Sequence, residues 1–320
     1  MTKVSKKTKA NLSKAKTAKQ DEFYTKLSDI ENELKYYKQH FKGKIVYCNC
    51  DDPMKSSFWK YFALNFKRLG LQKLITTCYK SQDINEHSQN DSKQAVCIEY
   101  YGNISGSGIL EREDVKYIYL KGDGDFRSEG CVNILKQADV VVTNPPFSLF
   151  REYVDQLIEY DKKFLIVGSL NAITYKNIFS LIKDNKLWVG YGNGAMTFKV
   201  PDNYVGTCEG DPGKKQASLG NISWYTNLDI SKRSEDIILY KEYVAKDYPK
   251  YDNYDAIEVS KVAEIPTEYF GAMGVPITFL SKFNPTQFEI IKFRKGDDDK
   301  DLSINGKCPY FRIIIKRKQQ

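Results

Sequence analysis

A chain of 320 residues with 41 % apolar and 13 % aromatic side chains can bury a sizeable core and exceeds the usual size of one domain, so two unequal lobes are expected. No apolar run is long enough for a membrane helix, and the opening Met1-Thr2-Lys3 has no apolar stretch behind it, which argues against a secretory signal and for an intracellular, cytoplasmic protein. The net charge of +8 suits a polyanionic partner, whereas seven scattered cysteines with no C-x-x-C pair and two separate histidines, His40 and His87, argue against disulfides and structural metal.

The first twenty residues carry Lys3, Lys6, Lys7, Lys9, Lys14, Lys16 and Lys19 and no acid, the pattern of a basic flexible tail or of an arm that orders on a polyanion. Ser28 to Glu31 has the form of a capping box. Ile30, Leu34, Tyr37 and Phe41 then recur at helical spacing, so a helix is expected over 28–42, closed by Gly43. Residues 44–50 read as a buried strand running into the turn Asp51-Asp52-Pro53. Ser56 can cap a second helix whose apolar face is Phe58, Trp59, Phe62, Ala63 and Phe66, closed by Gly70 before a strand at 73–78. The polar stretch 80–115 is expected to be a peripheral loop or hairpin.

A strand at 116–120 leads into Gly122-Asp123-Gly124-Asp125-Phe126-Arg127, and a short helix near 132–137 leads to the strand 139–143. Behind Asn144-Pro145-Pro146-Phe147, the residues Phe150, Tyr153, Val154, Leu157 and Ile158 mark an amphipathic helix before the strand 164–168. Strand and helix alternate, so the fold class expected is α/β: a Rossmann-like, mostly parallel twisted sheet that binds ligands beyond the carboxyl ends of its strands. Past about residue 200 the chain turns richer in Asn, Asp, Tyr and Pro, which marks a separate C-terminal region.

The tetrapeptide Asn144-Pro145-Pro146-Phe147 carries the chemistry. Two prolines fix φ and hold their carbonyls rigidly at the strand's end, and Phe147 offers a flat face for a base. The Asn144 side-chain oxygen and the Pro145 carbonyl can accept both hydrogens of an adenine amino group, aiming the nitrogen lone pair at an electrophilic methyl. A plain strand-ending turn is the competing reading.

The segment Thr143 to Tyr153 (TNPPFSLFREY) resembles the catalytic motif of amino-methyltransferases, and the chain is similar to EcoRI-type DNA adenine-N6 methyltransferases of restriction-modification systems. The likeness continues through DEFYT at 21–25, VYCNCDDP at 46–53, GDGDFRS at 122–128, WYTNLD at 224–229, PKYDNYDAI at 249–257 and FLSKFNPTQF at 279–288. It implies a S-adenosylmethionine-dependent enzyme that methylates adenine N6 in double-stranded DNA, within GAATTC, after flipping the base, and that shields the site from a cognate endonuclease. It also implies a tail at 1–20, a cofactor-binding catalytic domain at 21–200 and a target-recognition region at 201–320.

Residue by residue, Asn144, Pro145, Pro146 and Phe147 match the target-adenine motif. For the cofactor, Asp51 or Asp52 is expected at the methionine ammonium, although the family's glycine-rich first turn is absent here, against the competing reading of a helix-capping acid. Asp123 or Asp125, with Phe126, is expected near the cofactor's adenine, against a solvated acidic loop. Tyr24 and Thr25, beside Phe23, resemble the segment that folds over the cofactor, against a plain hydrophobic anchor. DNA readout is expected from cations such as Arg233, Lys241, Lys250, Arg294, Lys295, Arg312 and Lys316 to Lys318. Neither a metal nor a membrane is required, and action as a monomer is expected. The rivals are an RNA or protein-glutamine amino-methyltransferase and a catalytically inactive DNA-binding protein.

Overall fold

Helix α1 (Leu27–Leu34) buries Ile30 and Leu34, and Tyr37 and Phe41 continue the same apolar face across a 3-10 turn at Lys38–His40. The single helix expected over 28–42 is therefore divided. The helix also starts behind Lys26, with no side chain capping it, so the capping box expected at Ser28 is not used. Tertiary contacts override the local signal: Tyr37 donates its buried hydroxyl to Glu33 (2.7 Å), whose other oxygen accepts the Gly192 N–H (2.6 Å). The computed structural model describes residues 23–50, 56–80, 94–102, 114–200, 204 and 206–319. The basic tail, Asp51, Asp52 and much of the polar stretch 80–115 lie outside them.

Strand β1 (Ile45–Cys48) is followed by helix α2 (Ser57–Leu64), whose Ser56 cap accepts from the Phe58 and Trp59 N–H groups as the sequence implies. A short helix α3 (Phe66–Leu69) ends at Gly70 in the left-handed region, φ 65°, before β2 (Lys73–Thr77). Next come β3 (Val96–Tyr100), β4 (Val115–Tyr119), α4 (Glu129–Gln137), β5 (Val140–Thr143), α5 (Phe150–Glu159) and β6 (Lys163–Ser169). Helix α6 (Lys176–Lys183), β7 (Trp188–Lys199) and β8 (Gln216–Thr226) complete the alternating part.

These strands form one eight-stranded sheet in the order β4-β3-β2-β1-β5-β6-β8-β7. Its centre, β2-β1-β5-β6, is parallel, with Tyr47 opposite both Ile75 and Val141. Strands β3, β4 and β8 pair antiparallel beside it, so the stretch expected to be peripheral contributes β3 to the sheet itself. Val46, Tyr47 and Cys48 of β1 and all four residues of β5 are buried, as expected of parallel strands covered on both faces.

By contacts the chain divides into two units, Met1–Tyr175 with Gly192–Leu228, and Lys176–Tyr191 with Asp229–Gln320. The second contains a four-stranded sheet in the order β11-β12-β10-β9, from β9 (Ile257–Glu258), β10 (Met273–Pro276), β11 (Phe288–Phe293) and β12 (Arg312–Arg317). Ile313, Ile314, Ile315, Met273 and Val275 fill its core. Inside it, Glu258 accepts a fork of hydrogen bonds from Arg312 (2.7–3.1 Å) and the Tyr251 hydroxyl. Among the described residues no helix is long and apolar enough to cross a membrane.

Candidate active site

In a parallel sheet the strand ends expose backbone groups and the helices that follow present their first turns, so a ligand site is sought at the carboxyl ends of β1 and β5. These two strands are neighbours, and their ends are tied together. The Thr143 hydroxyl donates to the Asn49 carbonyl, and the Tyr153 hydroxyl donates to the Asn49 side-chain oxygen. Burial drives the Tyr153 phenol far above its ordinary pKa, so it remains a protonated donor. Cys50, the next residue, has φ 63°. A non-glycine residue thus takes the left-handed conformation that glycine adopts most readily.

Asn144 leaves the end of β5 buried, and its Nδ2 donates to the Phe23 carbonyl, which turns the amide's oxygen to the opposite side. Pro146 caps the 3-10 turn Phe147–Leu149, and its carbonyl accepts the Leu149 N–H at 3.0 Å. Among the described residues no donor reaches the Pro145 carbonyl. Helix α5 begins at Phe150, whose ring packs so closely on β6 that a Cβ at Gly168 would lie 2.3 Å from it. That close approach sets the distance between the Asn144–Phe147 turn and the sheet.

An aromatic group closes over the turn. Phe23 stacks on Phe147 with ring centroids 5.4 Å apart and planes at 23°, while Phe198 meets Phe147 edge-on at 6.2 Å and Phe23 at 5.7 Å. Tyr204 meets Phe23 at 5.7 Å. Tyr24 is fastened to β7 by two backbone hydrogen bonds with Lys199, both 3.0 Å. In the segment expected to fold over a cofactor, Phe23 therefore lies against Asn144 and Phe147, and Tyr24 and Thr25 follow it in the chain. Thr25 is almost wholly buried, and its hydroxyl has no hydrogen-bond partner among the described residues. A buried hydroxyl left without a partner is uncommon in native proteins.

The Gly122 to Arg127 loop separates its two acids. Gly124, at φ 75°, lies so near β2 that a Cβ there would meet the Cys78 carbonyl at 2.3 Å. Asp123 accepts the Asp125 N–H (3.0 Å) and forms no ion pair among the described residues. Asp125 instead takes a fork from Arg127 (2.7 and 2.9 Å). Burial raises the Asp125 pKa, but the Arg127 hydrogen bonds outweigh it and hold the carboxyl below its ordinary value. Phe126 is buried, edge-on to Tyr153 at 5.0 Å, and its carbonyl accepts from Gln156, so the loop is joined to α5.

Asn144 and Phe147 are thus brought to Phe23, the neighbour of Tyr24 and Thr25, and Phe126 is linked to the strand ends through Tyr153. Asp51 and Asp52 lie outside the described residues. Asn49, Phe198 and Tyr204 were not singled out from the sequence. The signals available for them were weak: an asparagine at the end of β1, and an aromatic residue in the alternating strand Met196-Thr197-Phe198-Lys199.

The family described as adenine-specific methyltransferase EcoRI matches residues 11–318 of the chain. The Type II methyltransferase M.EcoRI of Escherichia coli is 54 % identical over 316 residues, covering 96 % of each chain. Type II methyltransferases of Mycoplasma genitalium and Mycoplasma pneumoniae are 38 % and 37 % identical, covering 97 % and 96 % of this chain and 99 % and 98 % of theirs. No solved structure gives a significant match.

Proposed function

The chain belongs to the EcoRI family of adenine-specific DNA methyltransferases, which use S-adenosylmethionine, and from that premise we propose that it methylates adenine N6 within GAATTC and so protects the site from a cognate endonuclease. The observation that carries the site assignment is the closure of Phe23 onto Asn144 and Phe147 at the carboxyl end of β5. The 54 % identity to M.EcoRI, well above that to the mycoplasmal relatives, supports the same target.

S-adenosylmethionine supplies a methyl group on a sulfonium, which departs as a neutral thioether. The protein's own work is therefore positional. The Asn144 amide, held by its nitrogen on the Phe23 carbonyl, directs its oxygen at the incoming amino group, and the Pro145 carbonyl takes the second hydrogen. With both hydrogens bound, the adenine nitrogen presents its lone pair along the transfer direction; attack leaves it methylated and positively charged, and it then releases one of the two hydrogens to solvent as a proton. Thr25, Tyr24, Phe126 and Asp123 are the cofactor contacts that the geometry favours, with the Thr25 hydroxyl completing its bonding there. Asp125 is the weaker of the two loop acids for this role, because Arg127 already occupies both its oxygens. Asp51 and Asp52 remain proposed partners of the methionine ammonium.

A base stacked in a duplex cannot reach this turn, so the target adenine flips out at a cost of roughly a few kcal/mol. Phe23 covers one face of Phe147, and the base uses the other, with Phe198 at the ring edge. Target recognition falls to the second unit, and transfer by a monomer suits a palindrome whose strands are modified in separate visits.

The test is labelled-methyl transfer to duplexes with and without GAATTC, using wild type and Asn144→Ala. Transfer confined to the GAATTC duplex and lost in the variant supports the reading. Equal transfer to both duplexes overturns the target, and full activity of the variant overturns the site.

A further inference from the structure

The second unit contains four arginines, and they divide into two kinds. Arg312 and Arg294 are struts: Arg312 forks onto Glu258, and Arg294 forks onto Asp301 at 2.6 and 2.8 Å. Arg233 and Arg317 have no carboxylate within ion-pair distance among the described residues. Arg233 lies flat on Trp188, its guanidinium 3.8 Å from the ring centroid, and donates one N–H to the Asn185 side-chain oxygen. Arg317 lies over Phe270 at 5.2 Å and donates one N–H to the Thr267 carbonyl. In both, Nε is buried and has no hydrogen-bond partner among the described residues.

Such a cation is costly. Stacking on an aromatic face and tethering to one neutral oxygen fix the guanidinium without neutralising it, and partial burial removes water that would otherwise solvate the charge. Burial lowers the Arg233 pKa, against a smaller opposing effect of Asp229. An arginine kept in this condition is preorganised for an anion that arrives from outside. The neighbour Lys232 sits over Tyr191 at 5.3 Å, so two successive cations rest on two aromatic rings of one strand.

We infer that Arg233 and Arg317 are the arginines this unit holds for DNA phosphates, and that Arg294 and Arg312 serve the fold alone. This rests on the DNA-directed reading above. Phosphate, rather than a base edge, is the partner, because each guanidinium is drawn back onto its ring and tethered instead of projecting as a groove-reading side chain must. A phosphate oxygen needs only charge and an available N–H at the surface.

The experiment compares full-length wild type with Arg233→Met, Arg317→Met and Arg294→Met. Affinity for a GAATTC duplex and for one lacking the sequence is measured by fluorescence anisotropy across roughly 50 to 200 mM salt, alongside thermal unfolding. Losing one phosphate contact lowers the slope of log affinity against log salt by about 0.9 and weakens both duplexes alike, by about tenfold. Arg233→Met and Arg317→Met each give that result, with melting temperature held or raised because an uncompensated charge has been removed. Arg294→Met leaves the slope unchanged and lowers the melting temperature. Unchanged slopes in Arg233→Met and Arg317→Met, with normal wild-type binding, overturn this inference alone. Loss of GAATTC preference at an unchanged slope makes these residues base readers and likewise overturns it. A wild type that binds neither duplex defeats the DNA reading and this inference with it.

Discussion

At the carboxyl ends of β1 and β5, Asn49, Thr143, Asn144 and Tyr153 are joined by hydrogen bonds between neutral groups under a cover of aromatic rings. Around β9, β11 and β12, by contrast, Glu258 with Arg312 and Asp301 with Arg294 are joined as ions. The difference fits the roles proposed for the two regions. Methyl transfer from a sulfonium needs aimed dipoles, whereas the second unit joins its strands and loops by pairing charges. Polar groups at the first region are set by geometry, and those at the second by charge.

The largest expected effect breaks the ionic side. Glu258→Gln leaves Arg312 buried without its counter-charge, and the second unit should lose about 3–5 kcal/mol of stability in denaturant unfolding. An unchanged transition would mean that the pair contributes nothing. On the neutral side, Asn144→Ala should cut methyl transfer by about 10²–10³-fold, a magnitude typical of removing one positioned dipole, with cofactor affinity and unfolding nearly unchanged. A large drop in unfolding temperature would instead make Asn144 a structural residue.

A smaller effect concerns the support of that site. Gly168→Ala places a methyl against the Phe150 ring, where a Cβ has 2.3 Å, and should cost about 1–3 kcal/mol while weakening transfer more than cofactor binding. If the variant is as stable as wild type, Phe150 has room to move and the spacing of the turn from β6 is not fixed by packing.

The smallest effect separates the two loop acids. Asp125 has its folded pKa depressed, so its contribution to stability is full above its unfolded value near 4 and is lost as pH falls through the lower folded value. Asp125→Asn should therefore be less stable than wild type near pH 7, with the gap closing as pH falls below the ordinary carboxylate range. Asp123→Asn should leave stability near wild type and raise the KM for S-adenosylmethionine. The reverse assignment of these phenotypes would move the cofactor contact to Asp125.

Much of the first unit was legible locally. The β-branched run before Asn144 and the spacing of Phe150, Tyr153, Val154 and Leu157 placed β5 and α5 to within a residue or two, because both signals lie within one element. Ser56 and Gly70 marked helix ends for the same reason. The division of the first helix was not legible, since it depends on Glu33 meeting Gly192, 159 residues away. Nor was β3, whose short apolar run at Val96 to Ile98 lies in polar surroundings and becomes a strand through pairing with β2 and β4.

What the sequence determined by itself was the candidate site Asn144 to Phe147 and the alternation of strand and helix that puts it at a strand end. Periodicity, caps and rigid prolines act over a few residues, and a single chain displays them openly. Tertiary structure alone decided that Asn144 would donate to Phe23, 121 residues earlier, that Phe198 would stand beside Phe147, and that, among the described residues, Arg233 and Arg317 would form no ion pair. Those outcomes depend on which distant side chains compete for the same partner, and that competition is resolved only when the sheet has assembled.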